Sequence, residues 1–249
     1  MVFDRNKYKG KYDKHQHVKK GNYFFNLCFF INVTAPKSKG GAIYLLQSNF
    51  SIESSTFQAC VADYGGSIYS EQTRQGNITK SIFTDSKADY FGSIYIHSFE
   101  TKSRTIIDNT NISKSLGTKY ISAIRVEGSN TSLIECIFTE CYSECFGVYW
   151  DWNSYPSRTK ISNCLFQYNK SEGEGSCITF YHYQAFADLV NNIFISNTGK
   201  AFNSIYIYSI DGNVTVSNCI FSSSQEIEIG ERYPSDSLHL YNCLYNTTK

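Results

Sequence analysis

Five tyrosines, Tyr44, Tyr69, Tyr95, Tyr149 and Tyr206, each follow an isoleucine or valine and recur along the chain, with Arg125 and Thr179 standing in the interrupted places. A row of aromatic rings on a surface can stack on sugar rings or grip a protein partner. The same rings in successive turns of a repeat can instead stack on one another and support a sheet. Acid–base chemistry has its own candidates. Asp63, Asp85, Asp89, Glu140 and Glu144 fall in the turns before the tyrosine segments, and carboxylates paired across neighbouring turns would suit glycoside hydrolysis. Solvated turn acids are the simpler reading. The five histidines, His15, His17, His97, His182 and His239, lie in no recognisable catalytic setting.

Nine cysteines make an odd set. Cys28, Cys136, Cys164, Cys219 and Cys243 share one repeat position, and Cys60 and Cys141 share another. Neighbours such as Cys136 and Cys164 come within disulfide range if turns stack, but side chains of one parallel ladder point the same way, so buried thiols are favoured. Cys136, Cys141 and Cys145 do not match a zinc motif; no metal and no cofactor is expected. Sequons occur at Asn32, Asn49, Asn77, Asn111, Asn130, Asn169, Asn213 and Asn246. They mark candidate glycosylation sites, or they arise because Asn-, Ser- and Thr-rich turns generate the pattern freely.

These residues are positioned by a repeat. Taking one aromatic per copy as anchor gives Phe30, Phe57, Phe83, Ile112, Phe138, Phe166, Phe194, Phe221 and Tyr245, separated by 27, 26, 29, 26, 28, 28, 27 and 24 residues. Five residues before each anchor the column is Phe25, Ile52, Ile78, Ile107, Leu133, Ile161, Leu189, Val216 and Leu240, all apolar. Two before it lie Cys28, Ser55, Ser81, Thr110, Cys136, Cys164, Asn192, Cys219 and Cys243, all small or medium-sized and uncharged. A third apolar column reads Ile43, Ile68, Ile94, Ile124, Val148, Ile178 and Ile205. Alternation within GGAIYLL puts Ile43 and Leu45 on one face and Tyr44 on the other. Each copy therefore reads as three short strands, too short for helices, and one copy cannot bury its own apolar face. Stacked copies bury a continuous core. The expected fold is an all-β parallel β-helix solenoid of about nine coils, rising about 4.8 Å per coil.

Charge is uneven along the chain. The net charge is +1, yet residues 1–22 carry Arg5, Lys7, Lys9, Lys11, Lys14, Lys19 and Lys20 against Asp4 and Asp13. This segment is expected to be a basic arm or cap, with the repeat domain over 23–249. The body's mildly negative balance argues against nucleic acid as a partner. There is no run of 18 apolar residues to span a membrane, and residues 1–21 lack the apolar stretch of a signal peptide.

The segments CFFIN at 28–32, STFQAC at 55–60, CIFTEC at 136–141, CLFQYN at 164–169 and NIFISN at 192–197, paired with GGAIY and GGSIY, resemble repeats of the polymorphic outer-membrane protein type. Such repeats occur in chlamydial autotransporter passengers and in large surface families of parasitic protists such as trichomonads. The resemblance covers about residues 25–245. It implies a right-handed parallel β-helix of the pectin-lyase-like type, surface or secreted placement, and adhesive or antigenic roles. Polysaccharide lyases and polygalacturonases share that fold, but their catalytic series is not here; Asp108-Asn109-Thr110 is its nearest echo, in the wrong order.

The expectation is a non-enzymatic surface or secreted β-helix protein that binds carbohydrate or a cell-surface protein, or serves as a display rod. Its contact row would be Tyr44, Tyr69, Tyr95, Tyr149 and Tyr206. Two alternatives stay open: a carbohydrate-active enzyme using the turn carboxylates, and a cytosolic scaffold with reduced thiols.

Overall fold

Short Ile-, Phe- and Thr-rich stretches that alternate apolar and polar residues must turn one face inward, and a stack of them closes that face off from water. The computed structural model describes residues 6–98, 102–153, 157–182, 184–208, 211–223, 228–232 and 238–247. Over these residues the regular structure is all β. One coil contains a first strand (Gln75–Thr79), a second (Ile82–Thr84) and a third (Ile94–His97). Each pairs in parallel with its counterpart one coil on: Arg104–Asp108, Asn111–Ser113 and Ile124–Glu127. Repeating this builds a 25-stranded sheet that winds around the rod. A fourth segment, as short as Lys87–Ala88, forms a separate six-stranded ladder that a three-strand reading does not contain.

The core consists of columns. Along the second ladder Phe57 and Phe83 stack at 4.6 Å and 1°, Phe138 and Phe166 at 4.8 Å and 7°, and Phe194 and Phe221 at 4.9 Å and 5°. Phe25, Ile52, Ile78, Ile107, Leu133, Ile161, Leu189 and Val216 are in register along the first ladder and buried.

The small-residue column is explained by the corner between these ladders. Ser55 Oγ donates to the Glu53 carbonyl at 2.9 Å and accepts the Cys28 amide at 3.1 Å. Asn192 Oδ1 accepts the Cys164 amide at 2.9 Å. A side chain here must be short, polar enough to satisfy a turning backbone, and uncharged inside the core. Cysteine meets those terms at five coils; all nine cysteines of the chain are free thiols and seven are buried. At the next corner Asn169 and Asn197 form a ladder, each donating to the anchor carbonyl of the preceding coil, Phe138 O at 3.0 Å and Phe166 O at 2.9 Å.

The glycine pair opens the third strand. Gly40 and Gly65 have φ of +68° and +61°, and a Cβ on Gly66 would lie 2.4 Å from the Gly92 carbonyl oxygen.

Residues on both sides of position 23 take part in β pairing: Asn6–Tyr12 pairs with Tyr23 through Phe30, and Gln16 through Asn22 pair with Ile43 through Asn49. Tyr8 and Tyr12 extend the aromatic columns, stacking on Phe25 at 4.6 Å and Phe30 at 4.9 Å. In the third column the place given to Val148 belongs to Tyr149, which lies in register between Ile124 and Ile178. Tyr149 follows Phe138 by the same eleven residues that separate Ile94 from Phe83.

Candidate functional site

The outward face of the third ladder carries two rows. The first is Tyr44, Tyr69, Tyr95, Arg125, Trp150, Thr179 and Tyr206. Two residues further along each strand, alternation brings a second row to the same face: Leu46, Glu71, His97, Glu127, Trp152, Tyr181 and Tyr208.

Tyr44, Tyr69 and Tyr95 are therefore neighbours, with Tyr69 and Tyr95 at 4.5 Å. They do not form an open platform. Aromatic residues from the turns before the strand fold over them: Phe91 lies 4.6 Å from Tyr95 and Phe146 4.7 Å from Trp150, and Tyr64, Tyr90 and Tyr120 stack alongside. Tyr69 and Tyr95 are each left 6 % exposed; Tyr44 alone of the five is half-buried. Tyr206 is covered by Phe202 at 5.5 Å. Tyr149 points into the core and is fully buried, so it cannot be a contact residue. Trp150 takes its expected place outside.

Charge is threaded through these rings. Glu71 accepts hydrogen bonds from Tyr44 Oη at 2.7 Å and Tyr69 Oη at 3.0 Å, and pairs with Lys39. Burial works to raise the Glu71 carboxyl, but the hydrogen bonds from Lys39 and the tyrosines prevail and hold it below the usual carboxylate range. Burial and the bond to Glu71 push the Tyr44 phenol up to about 12. One coil on, Tyr95 Oη donates to Glu127 at 2.9 Å, and Arg125 pairs with the same carboxylate. His97 lies between the two glutamates in register, 3.7 Å from Glu127. Burial lowers its pKa, with Arg125 and Lys39 acting in the same sense and Glu71 against them.

Arg125 is the centre of the cluster. Its guanidinium lies 4.6 Å from the Phe91 ring, 4.2 Å from Trp150 and 4.6 Å from Trp152. The two indoles are nearly parallel, at 8°. Burial lowers the Arg125 pKa to about 10, which leaves it charged at neutral pH. Trp152 is 42 % exposed, so its ring offers a face whose orientation Arg125 and Trp150 hold. Tyr181 meets it edge-on at 6.2 Å and stacks on Tyr208 at 4.3 Å. Three consecutive members of the first row each leave a buried polar atom without a hydrogen bond: Arg125 Nε, Trp150 Nε1 and Thr179 Oγ1. Such atoms cost about 1–3 kcal/mol each.

The turn carboxylates do not join this cluster. Asp63 accepts the Lys37 amide at 3.0 Å. Asp89 accepts from Lys119 at 3.0 Å and Thr118 at 3.1 Å, and Lys119 holds its carboxyl low. Asp85, Glu140 and Glu144 are exposed. Among the described residues no three potential metal ligands converge.

The sequons fall into groups. Asn32, Asn111, Asn213 and Asn246 are exposed and Asn77 is half-buried. Asn49 and Asn130 are half-buried and their oxygens accept the amides of Gln75 at 3.0 Å and Arg158 at 2.9 Å. Asn169 is fully buried, with its amide nitrogen bonded to Phe138 O and Asn197 Oδ1. A glycan on Asn169 is incompatible with this packing, and that sequon is a by-product of the corner ladder.

Sequence reasoning missed Glu71, Glu127 and Trp152. The available signal was to step two residues beyond the tyrosine row with Trp150, not Tyr149, as its fifth member.

A family model described as the right handed beta helix region matches residues 20–221. No curated protein and no solved structure matches the chain. With most of its length matched and a parallel solenoid throughout, the chain belongs to the right-handed β-helix family.

Proposed function

We propose that this chain is a binding solenoid that holds carbohydrate on the outward face of its third ladder, without chemical turnover. The observation that carries the reading is Trp152: a large, partly exposed indole, clamped over Arg125 and next in register to the Glu127 carboxylate. A rigid indole face suits the apolar face of a sugar ring, and a fixed carboxylate beside it accepts hydroxyl hydrogens. Glu71, bonded by Lys39 and two tyrosines and held ionised, fits a hydrogen-bond acceptor better than a general acid. The repeat motifs support the finer assignment to the pectin-lyase-like group with repeats of the polymorphic outer-membrane type, and with it a surface or secreted adhesive role.

Glycan-array binding followed by calorimetry tests the reading. Trp152→Ala should abolish binding while the circular dichroism spectrum stays native. Binding that survives this change, or absence of any glycan ligand for the native chain, overturns it.

A further inference from the structure

The outward face of the second ladder differs from the other two. From Phe29 to Asn246 it presents two outward residues in each of nine strands, and none of these eighteen is charged. Lys11, paired with Phe29 on the preceding strand, is the first charge met at that end. The first-ladder face carries Arg104, Arg158, Lys160 and Asp188, and the third carries the charged cluster already described. One row of the uncharged face is bulky and branched over most of its length: Ile82, Ile137, Leu165, Ile193 and Ile220, with Ile82 46 %, Ile193 37 % and Ile220 38 % exposed. The other row, two residues on, is mostly Thr, Gln and Ser, as at Thr84, Thr139 and Gln167. Charges return at the corners that flank the face, as at Lys80 and Glu135 on one side and Lys114 and Glu140 on the other. An apolar strip bounded by charge has the make-up of an interface.

We propose that this face pairs with the same face of a second copy of the chain, giving a reversible dimer of parallel rods. Two arguments select that occupant. Eight steps of about 4.8 Å and two rows about 7 Å apart, widened by the side chains, offer about 500 Å² per copy. A pair then buries about 1,000 Å², the lower edge of specific association. The second argument is spacing. A partner must match relief that repeats every strand over the whole rod, and an identical ladder does so by construction. A two-fold axis parallel to the rod lays the branched row of one copy against the Thr/Gln row of the other, coil beside the same coil. With no charge on either side, neither desolvation of ions nor like-charge repulsion opposes the contact.

Asn111 is exposed and lies in the branched row between Ile82 and Ile137. A glycan there would hold two copies apart, so the unglycosylated chain is the form that should associate.

Sedimentation velocity of the full chain, made in a host without N-glycosylation, decides the matter. The expected result is a shift from 28.4 kDa to twice that mass as concentration rises, within about 1–200 µM. Ile137→Glu together with Ile193→Glu should raise the midpoint at least about tenfold. Ile106→Glu, on the outward face of the first ladder, should leave it unchanged and controls for folding. The chain glycosylated at Asn111 should stay monomeric. A native chain that is monomeric throughout, a midpoint that moves with Ile106→Glu but not with the pair, or a dimer that tolerates the Asn111 glycan would each overturn the proposal.

Discussion

Two aromatic stacks run along this rod, one inside and one outside, and they are built on different principles. The inner stack is one ring per coil, nearly parallel, uncharged and fully buried, as from Phe138 through Phe221. The outer stack runs through three tyrosines and then changes residue type at each step, tilts Tyr69 against Tyr95, and admits Arg125, Glu71 and Glu127. Regular stacking gives the lowest-cost core, because each ring meets an identical neighbour at strand spacing. The outer cluster departs from that regularity, and its departures leave a partly exposed indole, fixed carboxylates and unpaired donors.

The contrast can be broken from the inside first. Phe138→Ala opens a cavity between Ile112 and Phe166 and should cost about 3–5 kcal/mol by urea unfolding; a loss under 1 kcal/mol would mean the inner stack is not what holds the coils. On the outside, Glu71→Gln removes an ion pair and weakens two phenol hydrogen bonds, with an expected loss of about 1–2 kcal/mol. The same carboxylate makes the outer cluster acid-sensitive. Its folded pKa is depressed, so its contribution is complete above the unfolded value of about 4.3 and disappears as pH falls through the folded value. Glu71→Gln should flatten stability-versus-pH in that window, and an unchanged profile would remove Glu71 from the account. His97 acts in a higher window. Its folded pKa is depressed too, so the fold loses stability as pH drops below about 6.5, where the unfolded chain gains the proton first. His97→Asn should reduce that slope in a thermal melt taken between pH 5 and 7, leaving the share of His17, whose pKa burial also lowers. The smallest effect on stability is expected for Trp152→Ala, about 1 kcal/mol or less, although its effect on ligand binding should be the largest.

The inner stack was legible in the sequence because its columns repeat one residue class at nearly constant spacing. Phe30, Phe57 and Phe83 announce the register without help. The outer cluster was not, for three physical reasons. Tyr149 replaces isoleucine at an inward position, and apolarity alone made Val148 look like the member of that column. Glu71, His97, Glu127 and Trp152 share a row without sharing a chemical type, so no pattern marks them. The turn rings that cover this face, among them Phe91 over Tyr95 and Phe146 over Trp150, come from segments whose length varies between coils; the sequence shows those residues but not the direction they fold. The small-residue column was seen, and its cause was not: the corner needs a side chain that bonds its own backbone two residues back and caps an amide one coil away.

That corner chemistry has given the rod a set of internal reporters. Cys28, Cys60, Cys136, Cys141, Cys164, Cys177 and Cys219 are distributed from the first coils to the last and are closed to solvent, whereas Cys145 and Cys243 are partly open. Burial pushes the thiols of Cys60 and Cys219 up to about 11 and of Cys141 to about 12, so at these three positions an alkylating reagent meets almost no thiolate until a coil separates from its neighbour. The order in which these sulfurs become reactive under mild denaturant would trace which coils open first, residue by residue, in the unaltered chain.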